Sequence, residues 1–290
     1  MDDSGCKAEK GVLYIVATPI GHLGDMTFRA VGILKTVDVI AAEDTRTTAR
    51  LLSHYDISTR LISCHEHNES ERARQIVERL AAGQSAALVS DAGTPGLSDP
   101  GYRITLAAIR EGFRVIPVPG ACAAVAALSA AGMPTDRFLF AGFPPKKAGP
   151  LRMLLEDLAG RKETLVFYES PHRIVALLGS IQNQMGDRHV VVARELTKLH
   201  EEFIRGTAGE VEAALRKKEK IRGEITLLVS GKSDEKTGIP APEELEAEII
   251  GLLPDNPSTA RLAAILARRY NCSKNDMYQA ILSVKSRKES

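Results

Sequence analysis

From Gly11 to Leu128, short apolar runs alternate with stretches of helical character, and this alternation constrains the fold more than any other feature. Val12–Ala17 reads as a strand, Thr27–Lys35 as a helix, and Val37–Ala42 as a second strand. Leu61–Cys64 is a short strand before a charged helix, Glu69–Ala82, in which Ile76, Val77 and Leu80 recur at helical spacing. Ala86–Ser90 and Val115–Val118 read as buried strands flanking a helix at Tyr102–Arg110. Taken in turn, β and α elements predict a mostly parallel sheet with helices on both faces, since each parallel crossover needs a helix to bring the chain back.

The pattern breaks at Gly142-Phe143-Pro144-Pro145-Lys146-Lys147, a stretch of glycine, proline and charge that predicts a linker or mobile loop. Beyond it, helices are expected at Leu151–Ala159, Arg173–Met185 and Gly209–Lys218. Strands are expected at Thr164–Tyr168, His189–Ala193, Glu201–Arg205 and Ile225–Val229. Two of these strands have no helix between them, so this half should contain antiparallel pairs and a mixed sheet. Ser233–Pro242 reads as a second linker. Three helices follow at Glu243–Leu253, Thr259–Arg269 and Lys274–Lys285, with Ser273 placed to cap the last. The tight turn before a basic final helix suggests a helix-turn-helix-like module. The expected organisation is a disordered leader (1–10), an α/β domain (11–133), a second α/β domain completing a cleft (134–233) and a helical module (234–290).

Composition narrows the function. The 38 basic and 37 acidic residues nearly cancel, which argues against a sequence-indifferent nucleic-acid coat but leaves room for a locally basic face. Aromatics are 4% of the chain, too few for recognition built on stacking platforms. Cys6, Cys64, Cys122 and Cys272 lie far apart and make neither a zinc knuckle nor a disulfide framework, so they are read as reduced thiols of a cytoplasmic protein. His22, His65, His67 and His172 sit on different loops without convergent spacing, and no metal is expected. No run approaches the length of a membrane span.

Four loops follow predicted strands, where open α/β sheets bind ligands. They are Ala17–Asp25, Glu43–Thr47, Ser90–Gly101 and Pro119–Ala124. The third is the most informative. Its twelve residues, SDAGTPGLSDPG, are longer than an ordinary βα loop and rich in glycine, which lets backbone approach a ligand closely. The dinucleotide fingerprint G-x-G-x-x-G is absent; Ala17 and Pro19 stand where its first two glycines would fall, which disfavours a nicotinamide enzyme.

These strings, with YIVATPIGHLGDMT (14–27), AEDTR (42–46), PVPGA (117–121), FYESPHR (167–173), ARELT (193–197) and GEITLLV (223–229), resemble the tetrapyrrole methylase superfamily over roughly Gly11–Lys232. Within it, AEDTR and ESPHR are similar to the branch that methylates ribose 2′-hydroxyls in 16S ribosomal RNA, and unlike the porphyrinoid enzymes. The resemblance implies a dimeric, two-domain α/β fold with S-adenosylmethionine between the domains. Its cofactor positions fall on Ile20, Asp91, Thr94, Cys122 and Ala123 from the first domain, and on Tyr168, Ala193 and Ile225 from the second. This cofactor carries no phosphate, in keeping with the missing glycine fingerprint.

The implied reaction is methyl transfer to a cytidine 2′-oxygen near the decoding centre of the small ribosomal subunit. Nucleophile, methyl and sulfur must be nearly collinear, so positioning supplies much of the rate. A ribose hydroxyl is a weak nucleophile, and Glu43, Asp44 and Glu195 are the candidate proton acceptors, with Glu169 a weaker one. Each also has a plainer reading as a helix cap or ion-pair partner. Arg46, Arg173 and Arg194 are candidates for holding phosphates or the base, as are Lys146 and Lys147 at the interdomain loop. Arg268 and Arg269 are candidates in the helical module, whose basic residues are opposed by Glu243, Glu244, Glu246 and Glu248. Two alternatives stand beside this reading: a methyltransferase acting on a small tetrapyrrole, and a ribosome-assembly factor that uses the fold without catalysis.

Overall fold

The computed structural model describes residues 7–65, 67–232, 241–254, 258–270 and 272–288. Most of the leader, most of the second linker and the turn at Asn271 lie outside these residues. Residues up to Gly231 form one compact unit, and Lys232 onward form another.

The first unit contains two five-stranded sheets. Strands β1 (Val12–Val16), β2 (Val39–Ala42), β3 (Leu61–Ser63), β4 (Ala86–Val89) and β5 (Arg114–Val118) lie in the order β3-β2-β4-β1-β5. All four neighbouring pairs are parallel. Side chains alternate between its faces, as the period of two in a strand requires. Val12, Tyr14, Val16, Ile40 and Val89 point to one side, under α1 (Phe28–Thr36) and α2 (Thr45–His54). Leu13, Val39, Ala41 and Leu88 point to the other, under α3 (Glu69–Ala81) and α4 (Tyr102–Arg110). The chain runs outward from β1 to β2 and β3, returns through β4 beside β1, and then continues to β5. Connections therefore diverge at the carboxyl ends of β1 and β4, where such sheets bind ligands.

Helix α5 (Ala123–Ala131) leaves β5 and packs on the second sheet, made of β6 (Phe138–Gly142), β7 (Thr164–Glu169), β8 (His189–Arg194), β9 (Glu202–Thr207) and β10 (Ile225–Val229). Its order is β6-β7-β10-β8-β9, parallel only between β6 and β7. The mixed sheet follows from the β8–β9 hairpin, which has no helical crossover. Val191, Ala193 and Leu228 meet Ala124, Ala127 and Leu128 of α5 on one face. Val190, Val192 and Leu227 meet α6 (Ala148–Leu158), α7 (Ile174–Met185) and α8 (Ala208–Arg216) on the other. Thr207 and Glu210 form a reciprocal capping box that starts α8.

The second unit consists of α9 (Pro242–Leu252), α10 (Thr259–Arg269) and α11 (Lys274–Lys288) around Ile249, Leu262, Leu266, Tyr270, Met277 and Ile281. The Ser273 hydroxyl accepts from the Asn275 amide at 3.2 Å, the capping expected for α11. Among the described residues, no helix is long and apolar enough to cross a membrane.

Three elements differ from the sequence expectation. Helix α2 starts within the loop read at Glu43–Thr47 and runs on through residues for which no helix was expected, because its buried positions, Thr48 and Leu52, include only one apolar side chain. Helix α5 starts within the loop read at Pro119–Ala124 and runs on through residues for which no helix was expected; its alanine-rich sequence shows no clear amphipathic stripe. Strand β6 precedes the proline-rich stretch that was read as a break.

Candidate active site

The carboxyl ends of the first sheet's strands face the ends of β6, β7 and β8 and the start of β10 across a cavity of about 440 Å³. Ile20 reaches it from the loop after β1, Glu43 from the end of β2, Asp91 to Asp99 from the loop after β4, and Cys122 and Ala123 from the start of α5. The second sheet contributes Phe143, Tyr168, Glu169, Ala193, Leu196 and Gly223 to Thr226. All eight residues that the resemblance assigns to the cofactor line this one cavity. Cys64, Cys122 and Cys272 are free thiols, as read from their spacing.

The loops hold one another in place. Thr18 and Gly93 pair as an isolated antiparallel bridge, and the Thr18 hydroxyl donates to the Ser90 carbonyl at 3.1 Å. The Thr94 hydroxyl donates to the Ala121 carbonyl at 3.1 Å, joining the third loop to the fourth. The His22 amide donates to the Thr197 hydroxyl at 2.9 Å, tying the first loop to the ARELT turn. Gly21 lies so close to that turn that an added Cβ would sit 2.5 Å from Lys198. At the far end of the long loop, the buried Glu69 carboxylate accepts from the Gly101 and Arg103 amides at 2.8 and 2.9 Å. It thereby caps α4 in place of a side chain from the loop itself.

The cavity's charge is of one sign. Glu43, Asp91, Asp99, Glu169 and Glu224 line it, with no lysine or arginine among the lining residues. Burial, then the neighbouring carboxylates of Asp99 and Asp91, raises the Glu43 carboxyl above its ordinary value. Burial raises Asp99 to about 6, with Asp91 and Glu224 adding to the shift and a Ser90 hydrogen bond opposing it. Burial likewise pushes the Tyr168 hydroxyl up to about 12. That hydroxyl accepts from the Ala124 amide at 3.2 Å, and its ring meets Phe143 edge-on at 5.6 Å between centroids.

The proposed acceptors and cations separate in space. Glu43 lines the cavity; Asp44 and Glu195 do not. Asp44 caps α2 and pairs with Arg46, which holds its carboxyl down at about 2, and its amide donates to Asp91 at 2.9 Å. Glu195 has φ of +53° and accepts from Lys198 and the Glu224 amide, closing the turn over Gly223. Arg173 donates to the Pro144 and Pro145 carbonyls and lies 3.3 Å from Glu169, so it braces the proline-rich loop. Arg194 is 16% exposed and bound to Glu202 and the Arg222 carbonyl. Arg46 is 86% exposed, and Lys146 and Lys147 are also on the surface. In the helical unit, Arg269 pairs with Glu248 and Arg287 with Glu246, so α9 takes up part of the basic charge. The Arg268 side chain lies outside the described residues.

Sequence reasoning missed Asp99, Glu224 and Phe143. Asp99 is the second aspartate of a loop read as a whole, and only the folded loop brings it against Glu43. Among the described residues, no group of three or more His, Cys, Asp or Glu is arranged to hold a metal ion.

Comparison with known proteins fixes the family. The profile of the tetrapyrrole (corrin/porphyrin) methylases matches residues 12–212. A protein of Halalkalibacterium halodurans named ribosomal RNA small subunit methyltransferase I is 51% identical over 226 residues, 78% of this chain and 78% of its own length. A Synechocystis protein of the same name is 44% identical over 277 residues, 95% of this chain and 99% of its own. Among solved structures, a cobalt precorrin-4 methyltransferase of cobalamin biosynthesis superposes with a TM-score of 0.58 at 22% identity, covering 76% of this chain and 95% of that one. A diphthine synthase superposes with the same score at 13% identity, over 76% and 90%. By the profile match and by these relatives, the chain belongs to the tetrapyrrole (corrin/porphyrin) methylase family.

Proposed function

We propose that the chain uses S-adenosylmethionine to methylate a cytidine 2′-hydroxyl in 16S ribosomal RNA near the decoding centre, as a cytoplasmic homodimer. The observation that carries the reading is the acid-only cavity at the divergence point of the first sheet. Five carboxylates line it, with no lysine or arginine among the lining residues. Glu169 and Glu224 are paired with Arg173 and Lys198 outside that lining. The remaining Glu43, Asp91 and Asp99 fit a ligand bearing a positive sulfonium and ammonium, and disfavour a phosphate-bearing cofactor. The names of the relatives supply the ribosomal substrate.

When bound, S-adenosylmethionine supplies an electrophilic methyl group on its sulfonium. Ile20, Asp91, Thr94, Cys122, Ala123, Tyr168, Ala193 and Ile225 are the residues that would hold it. Thr18, Ser90 and Thr94 fix the loops around it through hydrogen bonds to backbone carbonyls, which keeps the site preorganised. One of two carboxylates, Glu43 or Asp99, takes the single ribose proton while the other shapes its proton affinity, since both line the cavity and both are raised above the ordinary carboxylate value. Asp44 and Glu195 act through position: the first sets α2 and the Asp91 loop, the second the turn over Gly223. Arg46, Lys146 and Lys147 offer exposed cations to the RNA, while Arg173 and Arg194 hold protein loops. Arg268 and Arg269 remain candidates for RNA contact from the helical unit.

Mapping 2′-O-methyl groups in 16S RNA from cells with and without the gene tests this reading. One cytidine should lose its methyl group on deletion and regain it on complementation. An unchanged ribosomal map, with a porphyrinoid lacking a methyl group instead, would establish the small-tetrapyrrole reading.

A further inference from the structure

A second groove opens beside the cavity, and its charge is reversed. Arg216, Lys218 and Lys220 line it with His172, against one acid, Glu219. It belongs to the run Arg216-Lys217-Lys218-Glu219-Lys220-Ile221-Arg222, which ends α8 and leads toward β10. Arg216, Lys217, Lys220 and Arg222 are exposed. Arg216 and Lys218 are anchored by Glu212 and Glu202 at 2.6 and 2.7 Å, which fixes their stems beside the groove. Pro171, in the turn between β7 and α7, lines both the groove and the acidic cavity, so the two are contiguous.

That contiguity has a consequence for a polymeric substrate. A nucleotide placed in the cavity is tethered on both sides, so its neighbouring phosphates must cross the rim. The cavity's carboxylates repel phosphate, and the adjoining groove is lined by three basic side chains and one acidic one. We propose that the groove of His172, Arg216, Lys218 and Lys220 holds the phosphate backbone of the RNA strand next to the target nucleotide. This inference rests on the ribosomal RNA reading above. Its contacts are with phosphate, so they add affinity and register without reading sequence.

The test compares the wild-type chain with Lys220→Ala and with the double variant Arg216→Gln/Lys220→Glu, using small ribosomal subunits that lack the modification. Subunit affinity is measured across a salt series, alongside S-adenosylmethionine affinity, KM and kcat. Each lost phosphate contact should flatten the salt slope by about 0.7, the single-strand value, and so reduce by roughly 3-fold the affinity lost between about 50 and 200 mM salt, with weaker binding at low salt. KM should rise while cofactor affinity and kcat at saturating subunits stay at wild-type values. A double variant that matches the wild type in affinity, slope and KM overturns the groove alone, provided the wild type methylates the subunit. A wild type that neither binds nor methylates subunits overturns both the groove and the RNA reading. A double variant that weakens only for a polycarboxylate porphyrinoid assigns the groove to a macrocycle instead.

Discussion

The acidic cavity and the basic groove share Pro171 but have opposite charge and different construction. Cavity carboxylates sit on loops at strand ends, partly buried, with Glu43 and Asp99 both raised by desolvation and by neighbouring carboxylates. Groove cations sit on a helix end and the following turn, mostly exposed, two of them held by outlying glutamates. Charge in a sheltered site is costly to keep and changes chemistry. Charge on an open surface is screened by salt and changes encounter and affinity. Substitutions in the cavity should therefore move kcat with little response to salt, and substitutions in the groove should move KM with a strong response to salt.

The largest expected effect is on chemistry. Glu43→Gln and Asp99→Asn remove, one at a time, the two carboxylates of which one accepts the ribose proton, and the single-turnover rate should fall about 10²- to 10⁴-fold when that acceptor is lost. Cofactor affinity, measured by calorimetry, should change far less. Equal losses in rate and cofactor affinity would move these residues from proton transfer to cofactor binding. The pH profile sharpens the point: kcat should climb with pH and level off above about 6, where Asp99 loses its proton. A flat profile from pH 5 to 8 in a chemistry-limited assay would remove Asp99 from that role.

Glu69 supplies a contrast, as a buried carboxylate that serves structure. Glu69→Ala strands the Gly101 and Arg103 amides and should cost about 2–3 kcal/mol of stability, read as a lower melting temperature. Asp99→Asn should do the reverse. Because the folded state raises this carboxyl from 3.8 to about 6, its proton is held more tightly folded than unfolded. The protonated group's stabilising contribution is complete below about pH 4 and lost as pH rises through about 6. Asparagine should therefore stabilise the protein by about 1–2 kcal/mol at pH 7–8, with the gain disappearing below pH 4. A melting temperature that falls at pH 8 would mean the charged Asp99 is held by partners, not strained by burial.

The same contrast explains what could be read from the sequence. The parallel sheet was legible because its buried strands are short apolar runs between helices, and the β8–β9 hairpin because no helix separates its strands. The eight cofactor positions came from motif resemblance, and the folded chain brings all eight to one cavity. Asp99 was not legible: nothing local separates it from Asp91, and its raised proton affinity arises only when the folded loop buries it beside Asp91 and brings Glu224 of the second sheet near. Asp44 and Glu195 show the converse. Their motifs drew attention, but one is a helix cap and the other closes a turn, duties that depend on Arg46 and on Lys198 and Glu224. The groove escaped notice because a run of lysines on a helix end looks like any solvated surface until its neighbour is known.

The most direct measurement is transfer of labelled methyl from S-adenosylmethionine to purified small subunits lacking the modification, followed by nuclease digestion and nucleoside analysis. The account predicts label in a single nucleoside, 2′-O-methylcytidine, in 16S RNA. Label on a base, in a porphyrinoid precursor supplied in parallel, or nowhere despite cofactor binding would contradict it.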